Sequence, residues 1–382
     1  MLRTRFIQEI FLRGISNKLG GKCMINVYAL HPCVNSVESL VKYLQYDNKN
    51  IINQLEWSPE NPDYLFSSEH IYRNYKYFKT LKNLNSENKN IINIFMGMEM
   101  LEPDLNLFDY AIVYNSHLSC DDRIQYLVPS LFFNRIQIEN RNLYDMKNEM
   151  TFDDAKKSIR DREFCNFIYS NGKAHPYRDN LFYKISEYKR VDSLGKHLNN
   201  MGNKCTRNDK NWASLSADMK SNYKFTLAIE NACANGYTTE KLLTSFLAHS
   251  VPIYWGDPDV GKYYNERAFI NCHNYSSMDE VLERIKEIDS NDDLWLKMIS
   301  EPWQTDEQYI LVHKEILSYQ DWITHIFQQD IGSAKRVAIG SMPDEYLQYF
   351  FNSINLKIAF MGSKFCNLLR KVRNFYLEEE SK

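Results

Sequence analysis

The chain has no run of 18 apolar residues, so nothing in it reads as a transmembrane helix. It has no C-x-x-C pair among its eight cysteines, Cys23, Cys33, Cys120, Cys165, Cys205, Cys233, Cys272 and Cys366. Their scattered spacing excludes a zinc ribbon or a disulfide scaffold and points to buried reduced thiols. The nine histidines show no H-E-x-x-H spacing. The net charge of −3 lacks the basic excess that a nucleic-acid partner would want. The first twenty residues, MLRTRFIQEIFLRGISNKLG, are broken by Arg3, Arg5, Glu9, Arg13 and Lys18. They lack the continuous apolar stretch of a secretory signal, so the expected compartment is the cytoplasm. No internal repeat or low-complexity tract is present.

What is present is a globular composition of 44% hydrophobic and 25% charged residues over 382 positions. That length suits two domains and an extension. Tyr, at 26, and Phe, at 21, are abundant. Such rings suit sugar-binding clefts, because they pack on the C–H face of a sugar, and equally suit an ordinary aromatic core. Short apolar runs alternate with helical stretches, which predicts α/β layers. Strands are expected at 24–30, 64–66, 91–95 and 110–114, then at 164–169, 224–229, 251–254 and 269–272. Helices are expected at 180–189, 239–249 and 278–288. The charged stretch 151–163 is either a linker or a helix leading into the second half. The predicted division is an N-terminal α/β domain over 1–155, a C-terminal α/β domain over 156–330 and a helical tail over 331–382.

The tail has no Asp or Glu between Tyr346 and Leu377 but carries Lys357, Lys364, Arg370, Lys371 and Arg373. Phe351, Ile354, Ile358, Met361, Phe365, Leu368, Val372 and Phe375 recur in steps of three and four, which draws one apolar stripe. Such a helix either lies on an anionic membrane surface or docks on the protein.

The densest chemistry lies between Asn222 and Pro258. An apolar run ends in Glu230-Asn231, a loop closes on Gly236-Tyr237, and Thr238-Thr239 opens a helix whose first turn holds Glu240 and Lys241. A helix start offers free backbone N–H groups and a positive dipole end to a phosphate. A lysine there opposes the dipole unless an anion binds beside it. Glu240 has the acceptors to hold two vicinal ribose hydroxyls. The alternative is a plain capped helix with surface charges. Asp257-Pro258-Asp259 forms a D-x-D, the spacing of a manganese motif, but its place after Trp255-Gly256 reads as a loop at a strand end.

The segments YKFTLAIEN, GYTTEKLL and VPIYWGDPDV resemble the signature of the α-1,3-fucosyltransferase family, close to Y-K-F-x-L-x-F-E-N, G-Y-x-T-E-K and V-P-I-Y-W-G, and resemble its bacterial branch most (glycosyltransferase family 10). FCNFIYSN with Pro176-Tyr177-Arg178, and NLFDYAI at 106–112, extend the likeness over roughly residues 90–275. The resemblance implies a GT-B fold: two Rossmann-like domains facing a central cleft, followed here by the helical tail. It implies an inverting, metal-independent transfer of L-fucose from GDP-β-L-fucose to the 3- or 4-hydroxyl of N-acetylglucosamine in N-acetyllactosamine-type glycans. Lipopolysaccharide or capsule decoration is the expected setting, with peripheral contact to the inner membrane through the tail. Arg178 and Lys241 would neutralise the diphosphate, Glu240 would hold the ribose and Tyr237 would pack beside the nucleotide or fucose. Ser170, Asn171, Glu230 and Asn231 would line the donor pocket. No cofactor or metal is implied. The catalytic base would be Glu99, counting back from Pro103. Met98-Glu99-Met100 stands where the bacterial family has Gly-Glu-Asn, so Glu102 is a rival. Two other readings stay open: a transferase using another GDP-deoxyhexose, and an inactive glycan- or nucleotide-binding homologue.

Overall fold

The computed structural model describes residues 24–97, 99–118, 122–127, 129, 150–202 and 212–353. Two parallel sheets organise it. The first has the order β2-β1-β3-β4-β5-β6, with β1 at Ile25–Leu30, β2 at Leu55–Trp57, β3 at Tyr64–Ser67, β4 at Ile92–Met96, β5 at Tyr110–Val113 and β6 at Ile124–Tyr126. The second has the order β11-β10-β9-β7-β8, with β7 at Glu163–Phe167, β8 at Val191–Ser193, β9 at Tyr223–Ile229, β10 at Val251–Trp255 and β11 at Ile270–Asn271. The α/β class and two-sheet GT-B architecture expected from the sequence are therefore present.

The apolar runs become central strands because both faces of a parallel sheet are covered. Every residue of β3, β4, β5 and β10 is buried. Period-two alternation divides the side chains of the first sheet between two cores. Ile92, Ile94, Tyr110 and Ile112 enter one. Phe95, Ala111 and Val113 enter the other, under helix α2. The helices used below are α1 (Val37–Leu44), α2 (Tyr75–Glu87), α3 (Tyr177–Tyr188), α4 (Glu240–Leu247), α5 (Met278–Asp289), α6 (Asp292–Ser300), α7 (Asp306–Gln328) and α8 (Ser341–Asn352). The core of the second sheet is closed by α3, α5 and α6. The stretch 151–163 is mostly helical, with Thr151 accepting from Asp154 N as the cap.

The observed packing departs from the expected division near residue 330. Helix α7 begins on the C-terminal side, where Gln308 donates to Gly261 O at 2.8 Å and Glu315 accepts from Tyr263 at 2.9 Å. It ends against the first sheet. There Tyr319 donates to Leu44 O at 2.8 Å, at the end of α1, and the Phe327 ring packs edge-on to Tyr64 at 5.1 Å. The following segment stays on that sheet. Buried Asp109 accepts from Asn93 N at 2.8 Å, Arg336 N at 2.8 Å, Val337 N at 2.7 Å and Lys335 Nζ at 3.1 Å. Helix α8 then docks on α2, with Phe351 5.5 Å from Phe78. The described part of the expected tail, 331–353, thus docks on the protein. The rest of its apolar stripe, from Ile354 on, lies outside the described residues. No helix among the described residues is long and apolar enough to cross a membrane.

Candidate active site

Strand order turns around between β7 and β9: β8 follows β7 on one side, whereas β9, β10 and β11 build outward on the other. Open α/β sheets bind ligands outside the carboxyl ends of their strands at such a reversal. Ser170, Asn171 and Arg178 follow β7 there, and Glu230 and Asn231 follow β9.

Arg178 lies in the first turn of α3 and is only 1% exposed. Its guanidinium sits 4.5 Å over the Tyr169 ring and donates to Asn171 O and, at 3.2 Å, to Asn231 Oδ1. Its Nε has no hydrogen-bond partner among the described residues, and Asp179 Oδ1 lies 3.7 Å from it. A buried cation with a spare donor is a natural anion seat. Ser170 and Asn171 are exposed at the rim.

The start of α4 is built differently from a simple Thr cap. Thr239 occupies the N-cap position but its side chain caps no backbone N–H of the helix. Instead the fully buried Glu230 carboxylate accepts from Thr239 N at 2.7 Å, from the Thr239 hydroxyl and from Lys241 Nζ at 2.7 Å. Gly256 makes room for it, since a Cβ there would lie 2.4 Å from Glu230 Cγ. Lys241 also donates to Thr239 Oγ1 at 2.7 Å and lies 3.4 Å from the half-buried Glu240. Burial alone would push the Lys241 ammonium down. Glu230 and Glu240 outweigh that and hold it above the usual lysine range. The lysine that opposes the helix dipole is thus stabilised from within the fold.

The loop before α4 is wedged into the first domain. Gly236 has φ +87, and a Cβ there would meet Tyr114 O at 2.4 Å. Gly236 O accepts from Tyr126 at 3.1 Å, and Asn235 O accepts from Ser116 N at 3.2 Å. Asp257 ties the loop from below. It accepts from Gly236 N and Asp259 N at 2.8 Å each and from the Thr238 hydroxyl at 3.1 Å. The first aspartate of the D-x-D is therefore a turn-organising residue, with its carboxyl raised by burial. This role was not read from the sequence; a D-P-D directly after a buried strand was the available signal.

Tyr237, expected beside the nucleotide or fucose, is 1% exposed. Tyr114 packs edge-on against the Tyr237 ring at 5.4 Å, and the Tyr237 hydroxyl donates to Glu99 Oε2 at 3.0 Å. Glu99 follows β4 and is half-buried. The rival Glu102 is exposed and accepts from Asn115 at 3.3 Å. The structure therefore pairs Glu99 with Tyr237, joins Lys241 to Glu230 and Glu240 four residues further on, and binds Arg178 to Asn171 and Asn231.

Residues 158–329 match the model of the glycosyltransferase family 10 (fucosyltransferase) C-terminal domain. The match covers the reversal point, the α4 start and the length of α7. The chain is 29% identical over 239 residues to the α-(1,3)-fucosyltransferase FucT of Helicobacter pylori, covering 56% of this chain and 47% of that protein. It is 26% identical over 208 residues to the GDP-fucose protein O-fucosyltransferase 3 of Xenopus tropicalis, covering 52% and 41%. The chain spans about half or less of the length of the curated relatives it matches. A crystal structure of an α1,3-fucosyltransferase with GDP-fucose has the same fold, with TM-score 0.57 and 22% identity over 83% of this chain and 94% of that one.

Proposed function

We propose that this protein transfers L-fucose from GDP-β-L-fucose, with inversion, to the 3- or 4-hydroxyl of N-acetylglucosamine in N-acetyllactosamine-type glycans. The observation that carries the reading is the Glu99–Tyr237 bond. It places a carboxylate from one domain against the loop of the other domain that leads into Lys241. Transfer needs this pairing of a base on one side with cations on the other.

The acceptor oxygen attacks the anomeric carbon from the face opposite GDP. The new C–O bond forms as the bond to the β-phosphate oxygen breaks. The acceptor proton passes to Glu99, a contribution of about 10²–10⁴-fold for a positioned base. Negative charge grows on the departing GDP. Arg178, Lys241 and the N-terminal end of α4 are fixed donors for that charge, so it costs no reorganisation at the moment of reaction. Glu240 holds the ribose, and Ser170, Asn171, Glu230 and Asn231 complete the donor side. Glu230 does so indirectly, by fixing Lys241. The reaction as drawn needs no metal. The same reading places the enzyme at the cytoplasmic face of the inner membrane, decorating lipopolysaccharide or capsule, with residues beyond Ser353 in contact with anionic lipid.

The test is GDP release from GDP-fucose with N-acetyllactosamine in EDTA. Acceptor-dependent release is expected, falling by about 10²-fold or more in Glu99→Ala and little in Glu102→Ala. Release that requires a divalent ion would overturn the metal-free mechanism. Silence with N-acetyllactosamine and lactose, with GDP still bound, would overturn the acceptor assignment and move the search to protein hydroxyls. A chain stopped after Ser353 that still co-sediments with anionic vesicles would remove the membrane role of the tail.

A further inference from the structure

We propose that Tyr237 is a positioning residue that holds the Glu99 carboxylate in register with the donor site; this rests on the reading of Glu99 as the base. The bond crosses between domains: Glu99 follows β4 of the first sheet, whereas Tyr237 lies four residues before Lys241 on the other side. A glutamate in the loop beyond a strand has three rotatable torsions, and a base that wanders by about 1 Å loses up to about 10²-fold in rate. The phenol pins one oxygen, Oε2. Oε1 has no hydrogen-bond partner among the described residues and is left for the acceptor hydroxyl.

The alternative, direct stacking of Tyr237 on nucleotide or sugar, does not suit a residue that is 1% exposed and covered edge-on by Tyr114. The tyrosine is itself rigid. Its N donates to Ala234 O at 3.1 Å, the preceding Gly236 is held by Tyr126 and Asp257, and the following Thr238 is held by Asp257. Burial raises its phenol far above the working pH range, so the proton is always there to donate. The loop that leads to the diphosphate-binding lysine therefore also sets the position of the base.

The experiment is a double-mutant cycle on the full chain with GDP-fucose and N-acetyllactosamine. Tyr237→Phe is expected to lower kcat by about 10–100-fold with KM for GDP-fucose unchanged. Combined with Glu99→Ala it should be no slower than Glu99→Ala alone, because a residue acting only through the base has nothing left to act on. A raised KM with kcat intact would overturn the proposal, as would a double variant slower than Glu99→Ala by the full Tyr237→Phe factor. Hydrogen exchange across residues 97–101 reads the same bond without turnover. Faster exchange in Tyr237→Phe than in the wild type supports the proposal, and unchanged exchange overturns it. An inactive wild type with faster exchange in the variant would instead sink only the assignment of fucosyl transfer.

Discussion

At the scale of single residues, the site depends on charges that the fold itself compensates. Glu230 has no exposure and three donors on its two oxygens. Glu230→Gln leaves the Lys241 ammonium with its bond to Thr239 Oγ1 and the longer contact to the Glu240 carboxylate, and breaking one side of a buried pair costs about 3–5 kcal/mol. The urea midpoint should drop with the slope unchanged; a midpoint equal to wild type would mean that water already solvates Lys241. Arg178 is held by an acceptor fork, to Asn171 O and Asn231 Oδ1, that a lysine cannot reproduce. Arg178→Lys should therefore raise KM for GDP-fucose by about tenfold despite the conserved charge, a loss of roughly 1.4 kcal/mol. His273 gives a pH signature. Burial lowers its imidazole below the ordinary 6.5, and its Nε2 accepts from Gly256 N at 3.2 Å, which the protonated ring cannot do. A group depressed by folding contributes stability that is complete above its unfolded pKa and is lost as pH falls through the folded value. The Tm of the wild type should drop between pH 7.5 and 5.5 more steeply than that of His273→Gln; equal slopes would rule out this histidine as the source.

At the scale of elements, helix α7 and the loop 235–238 each join the halves. Phe327 ends α7 in the core of the first sheet, 5% exposed, and Phe327→Ala should cost about 3–5 kcal/mol in thermal or urea unfolding. Gly236→Ala places a methyl against backbone at a left-handed φ, so it should destabilise and should lower kcat by displacing Tyr237. A variant with wild-type kcat would show that the wedge is not needed to hold the base. Much of this was legible locally. The strands β3, β4, β5, β9 and β10 stand out in the sequence because continuous burial demands continuous apolar residues. The edges β2, β6 and β8 do not, because three residues carry no period, whereas the short edge β11 falls inside the strand expected at 269–272. Val312, Ile316, Tyr319, Ile323 and Ile326 carry the helical spacing of α7, yet nothing in that spacing names the sheet it reaches. The same limit holds in the site. Glu230, Glu240, Lys241 and Arg178 were readable as residue types on a motif. That Glu230 is spent on Lys241, and Tyr237 on Glu99, follows from contacts that span 11 and 138 positions of sequence and have no local trace.

At the scale of the whole molecule, the chain leaves the first sheet, builds the second and returns to the first. The returning segment supplies Tyr319, Ile323, Phe327 and Val337 to the first half, and Asp109 waits buried for three donors from residues 335–337. Residues 1–155 expressed alone should therefore give no cooperative melt, whereas 1–353 should; a folded, monomeric 1–155 fragment would show that the returning segment is an accessory.

The return of α7 and the 335–337 strap also sets an order of events during synthesis. The second sheet has its strands and most of its own core by Ile299, so it can close while the chain is still being made. The first sheet, although translated earlier, keeps an apolar face and a buried carboxylate short of three donors until residues 319–337 leave the ribosome. A nascent chain of this protein would thus carry its oldest half in an unfinished state the longest. Slow translation or a premature stop before α7 would release a product prone to aggregate at that face rather than one that is merely shorter.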